Sequence, residues 1–236
     1  MTTIRGRAPA RGFTLIELLV AIAILAVVAV VSWRGIDGMS RAQEQMRARA
    51  DAVLTLQSAL AQWNSDLDNA VSLPPTRAID WNGRAMRLTR KSTSWDNPTV
   101  ATVGTPSITV VAWALRSDAD GATRWYRWQS PPLFTRADWQ QAWQQAAAWM
   151  GDSGGPTSGG GSGQAGSVVA LMPVTGWQVL YFRNDLWTAA VPADSLGANE
   201  ALPAGVRLLL ELPPGPALSG ALSVDWVRPN LTQPKS

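Results

Sequence analysis

Cysteine and histidine are both absent from this chain of 236 residues. Without cysteine there is no disulfide, no thiol nucleophile and no thiolate ligand. Without histidine there is no imidazole metal site and no Ser-His-Asp arrangement. Carboxylate and lysine chemistry stay open, but the commonest side-chain acid–base is missing. No convergent catalytic set, cofactor motif or metal-ligand spacing takes its place. Charge is scarce too: 16% of residues are charged against 46% apolar, enough to bury a core and to argue against wholesale disorder. The net charge of +3 invites a polyanion-binding reading, yet Arg5, Arg7 and Arg11 are the only charged side chains in the first twelve residues. Removing those three from 20 basic residues leaves 17 against 17 acidic ones. The remainder is neutral, so no nucleic-acid partner is read from it.

What the chain does have is one long apolar run. From Phe13 to Trp33 there are 21 residues with a single charge, Glu17. As a helix that run spans ~31 Å, about one bilayer core. Nothing later approaches it, so one segment meets the lipid bilayer. A cleaved secretory signal or a plain signal anchor would also begin this way. A carboxylate near the start of the run argues against both, because an unpaired charge is costly in lipid.

Gly12-Phe13-Thr14-Leu15-Ile16-Glu17, behind an Arg-bearing leader, resembles the processing site of type IV prepilins and type II secretion pseudopilins. The resemblance implies that a prepilin peptidase cuts between Gly12 and Phe13 and methylates the new amino terminus at Phe13. Residues 1–12 are then a leader and residues 13–33 a transmembrane helix. It implies a bacterial inner-membrane protein with a cytoplasmic leader and a periplasmic C-terminal domain. Arg34, Arg41, Arg47 and Arg49 follow the segment, so the positive-inside count does not decide the orientation by itself. Glu17 lies one turn beyond Phe13 and can pair with its amine, or with that of a neighbouring subunit, in assembly. The other reading of Glu17 is an acid that stabilises a helix start.

The helix is expected to continue through residues 34–72, reaching ~90 Å in all. Met39, Met46, Val53, Leu56, Leu60, Trp63 and Leu67 form a stripe, interrupted by Arg49, that would dock it onto a globular domain. Gly35 and Gly38 are candidate sites for a bend or a close helix crossing, and Pro74-Pro75 is the expected stop. Residues 73–228 read as that domain, with a tail at 229–236. Ser107 to Gln129 is a hairpin turning at Asp120-Gly121. Asp118-x-Asp120-Gly121 is similar to the start of a calcium loop, but the later ligands are missing. Arg136 to Met150 is a helix with Trp139 and Trp143 on one face, facing either the core or a partner. Residues 151–167 hold eight glycines among seventeen positions and read as a solvated loop. Strands follow at Trp177–Arg183, Leu186–Val191, Gly205–Leu212 and Ala221–Val227. Alternation in Arg84-Ala-Met-Arg87-Leu-Thr-Arg90-Lys91 suggests a strand with a cationic outer face. Thirteen tryptophans suggest sugar stacking or core filling, and their spread favours the core. The class is α+β: a long N-terminal helix packed on a mainly antiparallel sheet.

Four stretches are similar to J-type minor pseudopilins of type II secretion: Trp33-Arg-Gly-Ile-Asp-Gly38, Trp63-Asn-Ser-Asp-Leu67, Tyr181-Phe-Arg-Asn-Asp-Leu-Trp187 and Leu202-Pro-Ala-Gly-Val-Arg-Leu-Leu209. The tryptophan-rich helix and Gly/Ser stretch between 136 and 167 depart from that pattern. The resemblance implies a pilin-like fold and a non-catalytic subunit of the pseudopilus tip, without cofactor or metal. It would prime assembly and support protein export across the outer membrane. Its partners would be I-type and K-type minor pseudopilins, with the H-type and major pseudopilins as further candidates. A minor pilin of a type IV pilus, acting in motility, adhesion or DNA uptake, is the alternative. A membrane-anchored periplasmic enzyme or glycan-binding module is the reading from another class.

Overall fold

The structure, a computed structural model, describes residues 14–74, 78–92, 107–118, 120–151, 166–190, 202–215 and 217–229. The expected leader with Gly12, the Phe13 that follows it, most of the Gly/Ser stretch and the expected tail from residue 230 lie outside them, as do Pro75 and Val191. Two units divide the chain, Met1–Ala48 and Arg49–Ser236.

Helix α1 runs Leu15–Asp68 without a break. In the first unit every described residue is exposed. Around Gly35 and Gly38 the space is open: a methyl group on either would have no other atom within 4 Å. In the second unit the same helix buries Ala59, Trp63, Asp66 and Leu67. Met39 and Met46, the first members of the expected stripe, are each 65% exposed. Partial burial begins at Ala52 and Val53, Leu56 and Leu60 pack against the core, and full burial begins at Ala59.

The helix ends at Asp68, before the Pro74-Pro75 stop expected from the sequence. Asn69 bonds its own side chain back to the Ser65 carbonyl (2.8 Å). Strand pairing then takes over: Val71 N–H donates to the Thr89 carbonyl, and Lys91 N–H to that of Asn69. The backbone groups that would have continued the helix are satisfied by a sheet instead.

Among the described residues, nine strands form two sheets, both wholly antiparallel, where one sheet was expected. The first is ordered β1(Ile79–Trp81), β2(Ala85–Ser92), β3(Ser107–Ser117), β4(Thr123–Gln129), β5(Ser167–Pro173). The second is ordered β7(Leu186–Ala189), β6(Gly176–Arg183), β8(Gly205–Leu212), β9(Gly220–Val227). The hairpins at Asp120-Gly121 and Asn184-Asp185 lie where expected. Gly121 has φ of +78°, and Asn184 and Asp185 have +49° and +62°, the left-handed pair that a two-residue hairpin turn requires.

The end of α1 and the two sheets share one core. Trp63, Leu67, Met86, Leu88, Trp113, Trp125, Trp177, Leu208 and Trp226 all belong to it. The opposite face of the first sheet is covered by α2(Arg136–Gly151), which buries Trp139, Trp143, Ala146 and Trp149 against Val110, Ala112, Tyr126 and Trp128. The core reading of α2 and of the tryptophans therefore holds: ten of the twelve described tryptophans are buried.

Cover on both faces also corrects the reading of β2. Its arginines do not form a cationic outer face. Arg87 turns under α2, bonded to Asp80 (2.6 Å) and to the Trp143 carbonyl (2.7 Å), with its guanidinium 4.3 Å from that indole ring. Arg90, 8% exposed, turns to α1. An alternating sequence implies a wet face only when nothing packs there, and here both faces are occupied.

Candidate functional site

The first site candidate is the start of α1. Thr14 N–H and Oγ1–H both donate to Glu17 Oε2 (3.2 and 3.1 Å), and Glu17 N–H reaches Thr14 Oγ1 (3.4 Å). This is a reciprocal capping box, which satisfies donors that no helical carbonyl can reach. Within the described residues Glu17 therefore does what the second of its two sequence readings said, stabilising the helix start. The geometry also holds the carboxylate at the first turn, next to the position that Phe13 occupies in sequence. Gly12 and Phe13 lie outside the described residues. Thr14 was not singled out from sequence, although Thr-x-x-Glu before an apolar run is itself a start signal.

From Leu15 onward, α1 is long and apolar enough to cross a membrane. Its large apolar side chains up to Val31 are 52% to 79% exposed, an amount of apolar surface that water does not tolerate on a lone helix. A helix satisfies its backbone internally, so lipid is the solvent that suits this surface. Trp33 follows at 73% exposure, with Arg34 next and Asp37 paired to Arg41 (2.8 Å). An aromatic ring and a mixed set of charges are what a helix carries where hydrocarbon gives way to headgroups.

The second cluster joins the end of α1 to the sheets. Asp66 is fully buried. Its Oδ1 accepts from Arg90 Nη1 and Arg127 Nη2, and its Oδ2 from Arg127 Nε and Trp113 Nε1, all at 2.8 to 3.0 Å. Two residues on, Asp68 accepts from Trp226 Nε1 of β9 (2.7 Å). One carboxylate thus ties α1 to the first sheet and the other ties it to the second. Asp66 belongs to the Trp63–Leu67 stretch, whose three core residues are all completely buried. The stretch Leu202–Leu209 also has a structural job. A methyl on Gly205 would stand 3.2 Å from Phe182, from Trp187 and from the Trp226 carbonyl, so any side chain there would push these neighbours back by a few tenths of an ångström.

At the tip of the β3–β4 hairpin, Arg124 sits between Asp118 (3.0 Å) and Asp120 (3.1 Å). The Ala122 N–H, first, and then Arg124 hold the Asp120 carboxyl below its ordinary range. A guanidinium occupies the place that a cation would need, and no cluster of metal-ligating side chains occurs among the described residues.

Residues 7–33 match the family model described as the prokaryotic N-terminal methylation motif. The match runs from Arg7, across Gly12-Phe13 and Glu17, to Trp33. Together with the apolar helix it fits a single-pass membrane anchor. Among solved structures, a chain of the GspK-GspI-GspJ complex from the enterotoxigenic Escherichia coli type 2 secretion system superposes with a TM-score of 0.43. Identity is 11%, over 78% of this chain and 99% of that one.

Proposed function

We propose that this chain is a membrane-anchored minor pseudopilin of the J type, acting in the tip of a type II secretion pseudopilus. The methylation motif over residues 7–33 carries the reading, because it ends at Trp33, where the uninterrupted apolar run of the exposed helix ends. A prepilin peptidase removes residues 1–12 and methylates Phe13. The helix stays in the inner membrane, with the leader side cytoplasmic and the folded domain periplasmic. Its role is assembly rather than catalysis, beside I-type and K-type subunits, in support of protein export.

The J-type assignment rests on the four sequence stretches named above. Minor pilins of type IV pili share the motif, so the partner set separates the two pathways. Glu17 has a further role in this reading. Once Phe13 is the amino terminus, a cation stands one turn from a carboxylate that the capping box already holds in place. Pairing them, within or between subunits, removes the cost of placing either charge alone in lipid. Intact-mass measurement on protein purified from native membranes tests the processing step. Residues 1–12 should be missing and one methyl group added. A mature start inside residues 21–33 would mean ordinary signal-peptidase processing and end the reading.

A further inference from the structure

We infer that a groove beside the start of α2 is a docking site for an acidic, apolar segment of another polypeptide. This does not rest on the reading of the N-terminal motif. The groove measures about 790 Å³, within the ~300–1,000 Å³ typical of ligand sites. Leu73, Ile108, Leu133, Phe134 and Trp139 make it apolar, and Phe134 is 59% exposed. Among the described residues, Lys91 and Arg136 are its charged lining residues, and no described carboxylate lines it.

Several arginines elsewhere in the domain are spent in ion pairs. Arg87, Arg90, Arg124, Arg127 and Arg207 each have a carboxylate within 3.0 Å. Lys91 and Arg136 have none among the described residues, and Arg136 donates to the Pro74 carbonyl (2.7 Å). An apolar floor accepts a bulky aliphatic or aromatic side chain. Two cations beside it favour a carboxylate next to that side chain and reject a basic neighbour.

The test places a photoreactive benzophenone side chain at position 134 of the full-length chain in its native membranes. Irradiation is followed by mass-spectrometric mapping of the joined peptides. Cross-links should fall on a segment of a different protein where an apolar side chain adjoins Asp or Glu. Arg136→Glu should lower their yield by about tenfold or more, while Arg84→Glu, on an exposed turn, should not. An acid in the first turn of α2 suits the helix dipole, and an unchanged thermal melt confirms the fold. Changing the partner's acid to Lys should restore the yield in the Arg136→Glu chain. Cross-links to residues 93–106 of the same chain, to lipid, or to a segment without an acid would overturn the inference. So would a yield indifferent to Arg136→Glu, or no photoproduct.

Discussion

At position 66 a carboxylate sits in the last turn of a helix, where the macrodipole disfavours it, and entirely out of water. It persists because two guanidiniums and an indole N–H surround it. Asp66→Asn would take the counter-charge from Arg127, whose side chain is 4% exposed, so unfolding free energy should fall by ~3–5 kcal/mol, read from urea titration. A fall below ~1 kcal/mol would mean the pair behaves like a surface one. Asp225 is the comparison: its side chain is 40% exposed beside Arg207, and Asp225→Asn should cost ~0–1 kcal/mol. Arg207 hydrogen bonding holds the Asp225 carboxyl below its ordinary range. A lowered folded pKa adds stability that is present above the unfolded value and is lost as pH falls through the folded one. Carboxyl NMR titration should therefore find the Asp225 midpoint below ~3.9, and Arg207→Gln should return it upward. Glu17 allows a cleaner separation of roles. Glutamine preserves a capping box but carries no charge. If pairing with an amine matters, Glu17→Gln should fail in assembly as Glu17→Ala does, measured by cross-linking near Phe13. Assembly at the native level in Glu17→Gln would leave capping as its whole role. The Glu17 signal was legible in sequence because an isolated charge in an apolar run stands out. Asp66 was not, since its partners lie 24, 47 and 61 residues away.

Elements with strong local chemistry were read closely. The β3–β4 and β6–β7 hairpins and β8 follow from turn residues and β-branched runs, and α2 follows from its tryptophan spacing. Two strands escaped. β1 has three residues, too few for periodicity to show. β5 begins where the glycine-rich stretch ends, and its exposed, uncharged sequence shows no alternation. The helix end was placed late because proline is a visible breaker, whereas the pairing of residues 69–71 with β2 is a tertiary event. Gly166, just ahead of β5, has a consequence of its own. A methyl there would lie 2.4 Å from Trp128 Cε2 and 2.6 Å from the Gln129 carbonyl. Gly166→Ala should cost ~1–3 kcal/mol through forced displacement. The loss should appear first as faster amide exchange in β5, with β2 and β3 still protected. Uniform loss of protection across the sheet would show that β5 is not a separable edge.

For the whole molecule, the large apolar side chains of α1 from Leu15 through Met46 are exposed, and neighbours in the proposed tip would cover part of them. The full-length protein in detergent should therefore associate with I-type and K-type minor pseudopilins of its own organism. Light scattering at tens of micromolar (about −6 to −7 kcal/mol) should detect a complex. A chain that remains alone would refute the tip assignment, whereas association with type IV minor pilins would move it to the other pathway. The core that receives the end of α1 has an optical consequence as well. Trp63 rides on the helix, and its ring centre lies 5.3 Å from Trp113, 5.6 Å from Trp125 and 6.1 Å from Trp177. Indoles this close and this steeply inclined share their excited states, giving circular dichroism whose sign and size follow the angles between rings. Three of the four rings are set by strands and one by the helix, so tilting α1 in its seat would change that signal without any attached dye. The protein carries a built-in spectroscopic gauge of its own helix, readable in a cuvette while partners are added.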